Sequence, residues 1–264
     1  MSFIKNLNKT AKEKLLLAPH LDLYYSRGQF PDEIKIIVEP NKERDTAFHP
    51  SSHGLACLAA TYASMAGLLP PEKHSASTQR VFQIGHALHG LLQNALVDMG
   101  FTKPEYIEHE FRRTDDGTVL DCSVDWRTDP KIKEALWWCR GSADVSHCEI
   151  PDFGDALVDV KTAASFSFNN VGQDTGFWPK YEAQTQLYMD WHDVDLAIVL
   201  YMNKDTPHGF KERHVHRDPD FVESIYERWA IVAEALRAGT PPKCECNPDK
   251  ACPGRTAIKK AAKA

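Results

Sequence analysis

The sequence predicts an α/β fold, a mixed central β-sheet with helices on both faces. Three observations predict it. Residues 76–100 and 218–239 read as amphipathic helices with their own start and stop signals. "ALVDVKTA" and "DLAIVLYMN" read as strands suited to burial. The elements follow one another as helix, strands, helix, strands, helix, so the two kinds alternate rather than segregate.

Residues 1–50 are mixed and broken by Pro31, Pro40 and Pro50. "HPSSHGLACLAATYASMAGLLPP" predicts one helix, capped near Ser51 and closed by Pro70 and Pro71. "ASTQRVFQIGHALHGLLQNALVDMG" predicts a stronger one. Val81, Ile84, Leu88, Leu91, Leu92, Ala95 and Leu96 recur at helical spacing, and Gly100 ends it. "YIEHEFRRT" and "TVLDCSVDWR" flank the turn "DDG", which predicts a hairpin. The end of "KIKEALWWCRGSADVSHCEI", around Ser142 to Glu149, predicts a strand. "WPKYEAQTQLYMDWH" returns to helix, "DLAIVLYMN" to strand, and "FKERHVHRD" to an exposed edge strand. "PDFVESIYERWAIVAEALRAG" is an amphipathic helix with Asp218 as cap and Gly239 as stop.

The chain has 264 residues, 42% hydrophobic and 26% charged, enough for a sizeable core. No run approaches the ~20 apolar residues of a membrane helix. The start, "MSFIKNLNKTAKEKLLLAPH", lacks the apolar core of a signal peptide, so a reducing cytoplasm is expected. The net charge of −6 excludes a global attraction to nucleic acid, and local fields decide such binding. Lys5, Lys9, Lys12 and Lys14, and Arg255, Lys259, Lys260 and Lys263, lie near the ends and read as solvated tails.

Three acid-x-Lys pairs occur: Glu33–Lys35, Asp129–Lys131 and Asp159–Lys161. Context separates them. Pro130 disfavours an interior strand for the second, and the first has no acidic hairpin before it. Asp159 and Lys161 share one face of a strand. They follow "GSAD" by a strand, the turn "PDFGD" and a return strand, which brings Asp144 beside Asp159. Two adjacent carboxylates repel unless a cation lies between them, and Mg²⁺ prefers oxygen ligands. A lysine beside the ion would orient or deprotonate a water whose pKa the metal lowers. On the following helix Tyr181, Gln184 and Tyr188 share a side. On the earlier helix Gly85 permits close approach, and His89 one turn later can face the ion, with His86 as its near rival.

The ordered set G-x-x-x-H (Gly85, His89), G-x-x-D (Gly141, Asp144), D-x-K (Asp159, Lys161) and Y-x-x-Q-x-x-x-Y (Tyr181, Gln184, Tyr188) resembles the RecB-like branch of the PD-(D/E)xK nuclease superfamily over roughly residues 80–190. Each residue alone has an ordinary structural explanation, and the set carries the resemblance. It implies a restriction-endonuclease-like core. It makes His89, Asp144 and Asp159 metal ligands, with the Val160 carbonyl as a further one, and Lys161 the catalytic lysine. Gln184 and Tyr188 become supports for that lysine or the scissile phosphate. The implied ion is Mg²⁺ or Mn²⁺.

Seven cysteines without a secretion signal argue against a disulfide framework. Cys122, Cys139 and Cys148 read as small buried apolar groups. Cys244, Cys246 and Cys252 crowd into "PPKCECNPDKACPG", where thiolates need a metal to share their charge. Some RecB-like nucleases, including those of CRISPR spacer acquisition, hold a [4Fe–4S] cluster with one upstream and three C-terminal cysteines. That layout resembles Cys57 with Cys244, Cys246 and Cys252. The spacing here is C-x-C-x₅-C instead of the usual C-x₂-C-x₅-C, which leaves zinc as the alternative.

In "TAASFSFNNVGQDTGFWPK", Phe166, Phe168, Phe177 and Trp178 either stack on unpaired bases or pack over the core, and Asn169, Asn170 and Lys180 are within reach of phosphates in the first case. No G-x-x-x-x-G-K-[S/T] motor motif occurs. The expectation is a single domain over 1–264. Its core spans about 76–240, and a cluster joins the helical flank 1–75 to the cysteine loop 241–264. The expected activity is a DNA exonuclease acting on ends, single strands included, in recombination, repair or phage genome processing, within a bacterial or phage-infected cell. A homo-oligomer or a recombination or CRISPR partner protein is compatible with it. A CRISPR spacer-acquisition nuclease is the alternative within the class. A non-catalytic DNA-end-binding iron–sulfur scaffold is the alternative outside it.

Overall fold

The strand that carries Asp159 lies at the centre of a five-stranded sheet. The computed structural model describes residues 15–31, 45–70, 74–170, 178–205 and 209–263. The N-terminal lysines, Pro40, Pro71, the Glu33–Lys35 pair and Phe177 lie outside them, as do the side chains of Trp178 and Lys180. In chain order, α1 (Ala18–Ser26), α2 (Pro50–His53) and α3 (Leu58–Met65) precede the long α4 (Ala76–Asp98). Next come β1 (Ile107–Thr114), α5 (Pro130–Glu134), β2 (Trp138–Ile150) and β3 (Gly154–Ala163). α6 (Ser165–Asn169) and α7 (Trp178–His192) lead to β4 (Leu196–Asn203) and β5 (Phe210–His216). α8 (Pro219–Ala238) and α9 (Pro253–Ala261) follow.

The strands stand in chain order, antiparallel except for the parallel pair β3–β4 that α6 and α7 bridge. The sheet is therefore mixed, and alternation along β3 feeds two cores. Val158 and Val160 pack with Leu21 of α1 and Leu92 and Leu96 of α4. Leu157 and Ala163 pack with Ala183 and Leu187 of α7 and Ile225 and Trp229 of α8. Each fully buried aliphatic side chain contributes about 1.5–3 kcal/mol, and both faces are covered by helices, as expected. Cys139 and Cys148 are fully buried, while Cys122 is half-buried. Phe168 packs into the core and Phe166 is exposed.

Local signals hold at the helix ends. Ser75 Oγ accepts the Thr78 N–H at 3.1 Å, and Asp218 Oδ1 accepts the Phe221 N–H at 3.1 Å. Gly100 and Gly239 close their helices at φ +73° and +62°. At its start α4 outruns the sheet, so Val81 and Ile84 stay exposed and only its second half packs.

Three expectations are corrected. The segment from His49 to Pro70 forms two helices instead of one. Gly54 is pressed against α7, where an added Cβ would lie 2.9 Å from that of Ala183, and Cys57 turns extended to start the second helix. The first begins at Pro50 after His49, without a side-chain cap at Ser51. "TVLDCSVDWR" is not the partner of β1. It touches β1 through one bridge, Arg113 to Val119, then curls into turns in which Asp121 and Asp125 accept the N–H groups of Ser123 and Arg127. The longer β2 pairs with β1 instead. The C-terminal basic stretch is helical rather than a tail. Lys259, Lys260 and Lys263 are exposed, but Arg255 bonds the carbonyls of Pro248 and Lys250 and so shapes the cysteine loop.

Candidate active site and metal centres

β2 and β3 pair back from their turn as far as Val145 and Val158, and then stop. The next residues on each strand are Asp144 and Asp159. The Val160 N–H beyond the last pair donates to Asp144 Oδ2 at 2.6 Å. The other oxygen, Oδ1, lies 3.5 Å from His89 Nδ1 of α4. His86 is exposed, so the helix aims His89 and not its rival at the carboxylate. An added Cβ on Gly85 would stand 3.3 Å from Thr162 Oγ1, so that glycine sits where α4 meets β3.

Asp159 is 1% exposed and faces α7. Its Oδ1 accepts from Lys161 Nζ at 2.8 Å and from Gln184 Nε2 at 3.3 Å. Its Oδ2 is 2.6 Å from the same Nζ but outside hydrogen-bond geometry, which leaves a lone pair to offer an ion. The Lys161 ammonium also lies 4.9 Å from the Tyr181 ring centre. Tyr188 is buried over Gly141, where an added Cβ would come within 2.7 Å of its ring, and it shares a hydrogen bond with Gln184. Gly141 is therefore a close-packing requirement of α7 on β2.

The expected ligand set did not include Glu108. β1 places this residue beside Asp144 with φ +48°, a left-handed conformation that a non-glycine residue adopts at a cost. Ligand atoms of His89, Glu108 and Asp144 lie within 4.8 Å of one another. Gln93 of α4 holds the group together, donating to Glu108 Oε1 at 2.8 Å and to the Asp144 carbonyl at 3.1 Å. Ser142 donates to Glu108 Oε2 at 3.2 Å.

The charges split. Burial pushes the Asp159 carboxyl up, and the Asp144 charge adds to it against Lys161. Burial also works to raise Asp144, but His89, Lys161 and the Val160 N–H outweigh it and hold that carboxyl down. Burial and the Asp144 charge raise Glu108. Burial opposes the charge on Lys161, yet Asp159 and Asp144 win and keep the ammonium protonated to higher pH. Acids crowded so that some are pushed up are acids that a divalent cation would relieve. One nitrogen among carboxylate oxygens is a donor set that Mg²⁺ or Mn²⁺ accepts.

A second group lies across the fold. The sulfurs of Cys57, Cys244, Cys246 and Cys252 are within 4.8 Å of one another, and Cys57 and Cys244 are 3.7 Å apart. Cys57 and Cys252 stand at the N-caps of α3 and α9, where helix ends favour thiolate. Burial opposes ionisation of Cys57, but the N–H groups of Glu245, Ala60 and Ala59 outweigh it and hold the thiol at about 6. Arg228 of α8 clamps the loop, donating to Glu245 at 2.8 and 2.7 Å and to the Ala56 carbonyl at 2.9 Å. Gly254 lies directly under the α3 backbone at Ala59 and Ala60, with no room for a Cβ. Four thiolates suit both zinc and iron–sulfur. The 3.7 Å pair matches a single tetrahedral ion with metal–sulfur bonds of about 2.3 Å, and an iron–sulfur cube asks the sulfurs to spread.

No protein-family model and no curated protein sequence matches the chain. Among solved structures it is similar to SSO0001, at TM-score 0.40 and 15% identity, over 85% of this chain and 84% of that one. It is also similar to LHK-Exo in complex with dAMP, at TM-score 0.42 and 16% identity, over 83% of this chain and 94% of that one. LHK-Exo is an alkaline exonuclease from Laribacter hongkongensis. Among the described residues no helix is long and apolar enough to cross a membrane.

Proposed function

We propose that this chain is a metal-dependent deoxyribonuclease that hydrolyses phosphodiester bonds at DNA ends, single strands included. The observation that carries the reading is the gathering of His89, Glu108 and Asp144 within 4.8 Å of one another beside the Lys161–Asp159 pair. A bound Mg²⁺ or Mn²⁺ supplies a water of lowered pKa and a positive field for the charge that builds on the phosphate. His89, Glu108 and Asp144 would hold the ion, and Asp159, which lies outside that group of three, and the Val160 carbonyl are the further ligands the resemblance implies. The Val160 N–H keeps the Asp144 carboxylate from rotating. Lys161, held protonated, suits donation to a phosphate oxygen rather than proton abstraction. Gln184 orients Asp159, and Tyr188 orients Gln184.

In the same reading residues 76–240 form the nuclease core, and the four cysteines hold a metal that staples both flanks. A [4Fe–4S] cluster is the occupant their layout resembles, and zinc is the one their spacing suits. A setting in recombination, repair or phage genome processing rests on the resemblance alone.

The test is cleavage of end-labelled linear DNA with Mg²⁺ or Mn²⁺. Wild type is expected to cut on the order of 10² times faster or more than Asp159→Ala and Lys161→Ala. If it cuts no faster than either, a non-catalytic end-binding protein replaces the enzyme. Labels at the 5′ and 3′ ends report polarity in the same assay.

A further inference from the structure

β2 loses its strand partners on both sides at Asp144. Toward β3 the ladder ends with Val145 opposite Val158. Toward β1, Ile107 pairs with Val145 and His109 with Ala143, and the pair between them, Glu108 with Asp144, drops out of the register. Glu108 stands in this gap with its left-handed φ of +48°. The break reaches both cores. Ala143 packs on the α7 side and Val145, two residues on, packs on the α4 side, where a regular strand would put both on one face. We propose that Gln93 of α4 is the positioning residue of the acidic site, bridging this gap and so keeping Glu108 among the ligands. The inference rests on the metal-dependent reading of that site.

The side-chain amide of Gln93 carries two protons, and both have partners. Nε2 donates to Glu108 Oε1 at 2.8 Å and to the Asp144 carbonyl at 3.1 Å. The second bond satisfies a β2 carbonyl at the point where the ladder is broken. The first holds the carboxylate of a residue whose backbone is strained for anything but glycine. Strain of that kind persists only where the surroundings hold it. Gln93 is 3% exposed, so its bonds are shielded from competing water.

The three grouped ligands come from α4, β1 and β2, and Gln93 bonds directly to the residues from both strands. It lies one turn after His89 on the same helix, so α4 supplies one ligand and aims a second. Without Gln93 the Ser142 hydroxyl, at 3.2 Å from Oε2, is the hydrogen-bond partner left to the Glu108 carboxylate. Nothing on α4 would then oppose a return of Glu108 to extended backbone. That return would restore the alternation of β1 and turn the carboxylate away from Asp144. Outer hydrogen bonds that orient ligands in this way are worth about 10–100-fold in metal affinity.

The experiment is Mn²⁺ binding to the full chain without DNA, read as loss of the free-ion EPR signal. Gln93→Met keeps the bulk of the side chain and removes both donors, and it should weaken Mn²⁺ about 10–100-fold. Glu108→Gln should weaken it as well. The double variant should bind no more weakly than Glu108→Gln alone, because Gln93 acts on the ion through that carboxylate. A general loosening of the fold would add to the loss instead. Gln93→Leu repeats the comparison should the methionine variant fail to fold. Equal Mn²⁺ affinity in wild type and Gln93→Met would overturn the assignment, as would losses that add. A wild type that takes up no Mn²⁺ overturns the metal reading and this inference with it, whereas the two preceding outcomes leave that reading standing.

Discussion

The Val160 N–H meets Asp144 Oδ2 at 2.6 Å across the point where two neighbouring strands part. A side chain thus takes the place of a strand partner. The same carboxylate turns its second oxygen to His89. Structure and chemistry share one group there, and substitution can separate them.

Asp144→Asn keeps an acceptor for Val160, while Asp144→Ala leaves that N–H without one at a cost of about 1–3 kcal/mol. Both should lower DNA cleavage on the order of 10²-fold or more. Only the alanine variant should lose folding stability in chelator. Denaturant melts beside cleavage rates check it, and equal destabilisation by both variants would reject the double role.

Lys161 and Asp159 form a buried pair, 17% and 1% exposed. Lys161→Met leaves a carboxylate uncompensated and should cost about 3–5 kcal/mol. Adding Asp159→Asn to it should restore most of that stability and none of the cleavage. A double-mutant cycle measures both, and additive losses in stability would show that the pair is not coupled.

Glu212 of β5 takes the N–H groups of Leu16 and Leu17 at 2.8 and 2.9 Å, and that of Ala18, so it caps α1. Burial works to raise its carboxyl, but His214 and these N–H groups outweigh it and hold it low. A carboxyl depressed on folding contributes stability above its unfolded value of about 4.3, and loses it as pH falls through the lower folded value. Glu212→Gln should cost about 1.5–3 kcal/mol at pH 7. The gap to wild type should close in acid below pH ~4. Urea midpoints at both pH values decide it, and a pH-independent gap would remove the charge from the account.

Gly254→Ala puts a methyl group into the α3 backbone at Ala59 and Ala60. Overpacking of this kind costs about 1–3 kcal/mol. It should also lower the metal content of the cysteine group, because α9 carries Cys252 at its start. Metal analysis of purified protein checks it. Absorption near 400 nm identifies iron–sulfur, and a colourless protein with one zinc identifies the alternative. Full metal loading in Gly254→Ala would uncouple the helix contact from the staple.

The expected strand carrying Asp159, the turn that brings Asp144 back to it, and the capped helices α4 and α8 all rest on local pattern, which is why they could be read in the sequence. Glu108 could not. Its segment pairs with β2, whereas the "DDG" turn pointed it toward residues 118–127. Paired that way, Glu108 stands far from Asp144. The choice between the two partners is made by the greater length of β2 and by side-chain turns at Asp121 and Asp125. Gln93, one turn after His89, shared that fate, because its two partners come together only once β1 lies against β2.

Cys57 and Cys244 are 187 positions apart along the chain and 3.7 Å apart in space. Every side chain assigned to phosphodiester chemistry lies between them. A metal clasped there would convert that stretch into a closed ring, and a ring of such size, kept closed, would remove roughly 5 kcal/mol of freedom from the disordered chain. Such a clasp would act on the unfolded ensemble and not on the reacting atoms. Stripping it would leave the pocket's shape intact while shortening its lifetime.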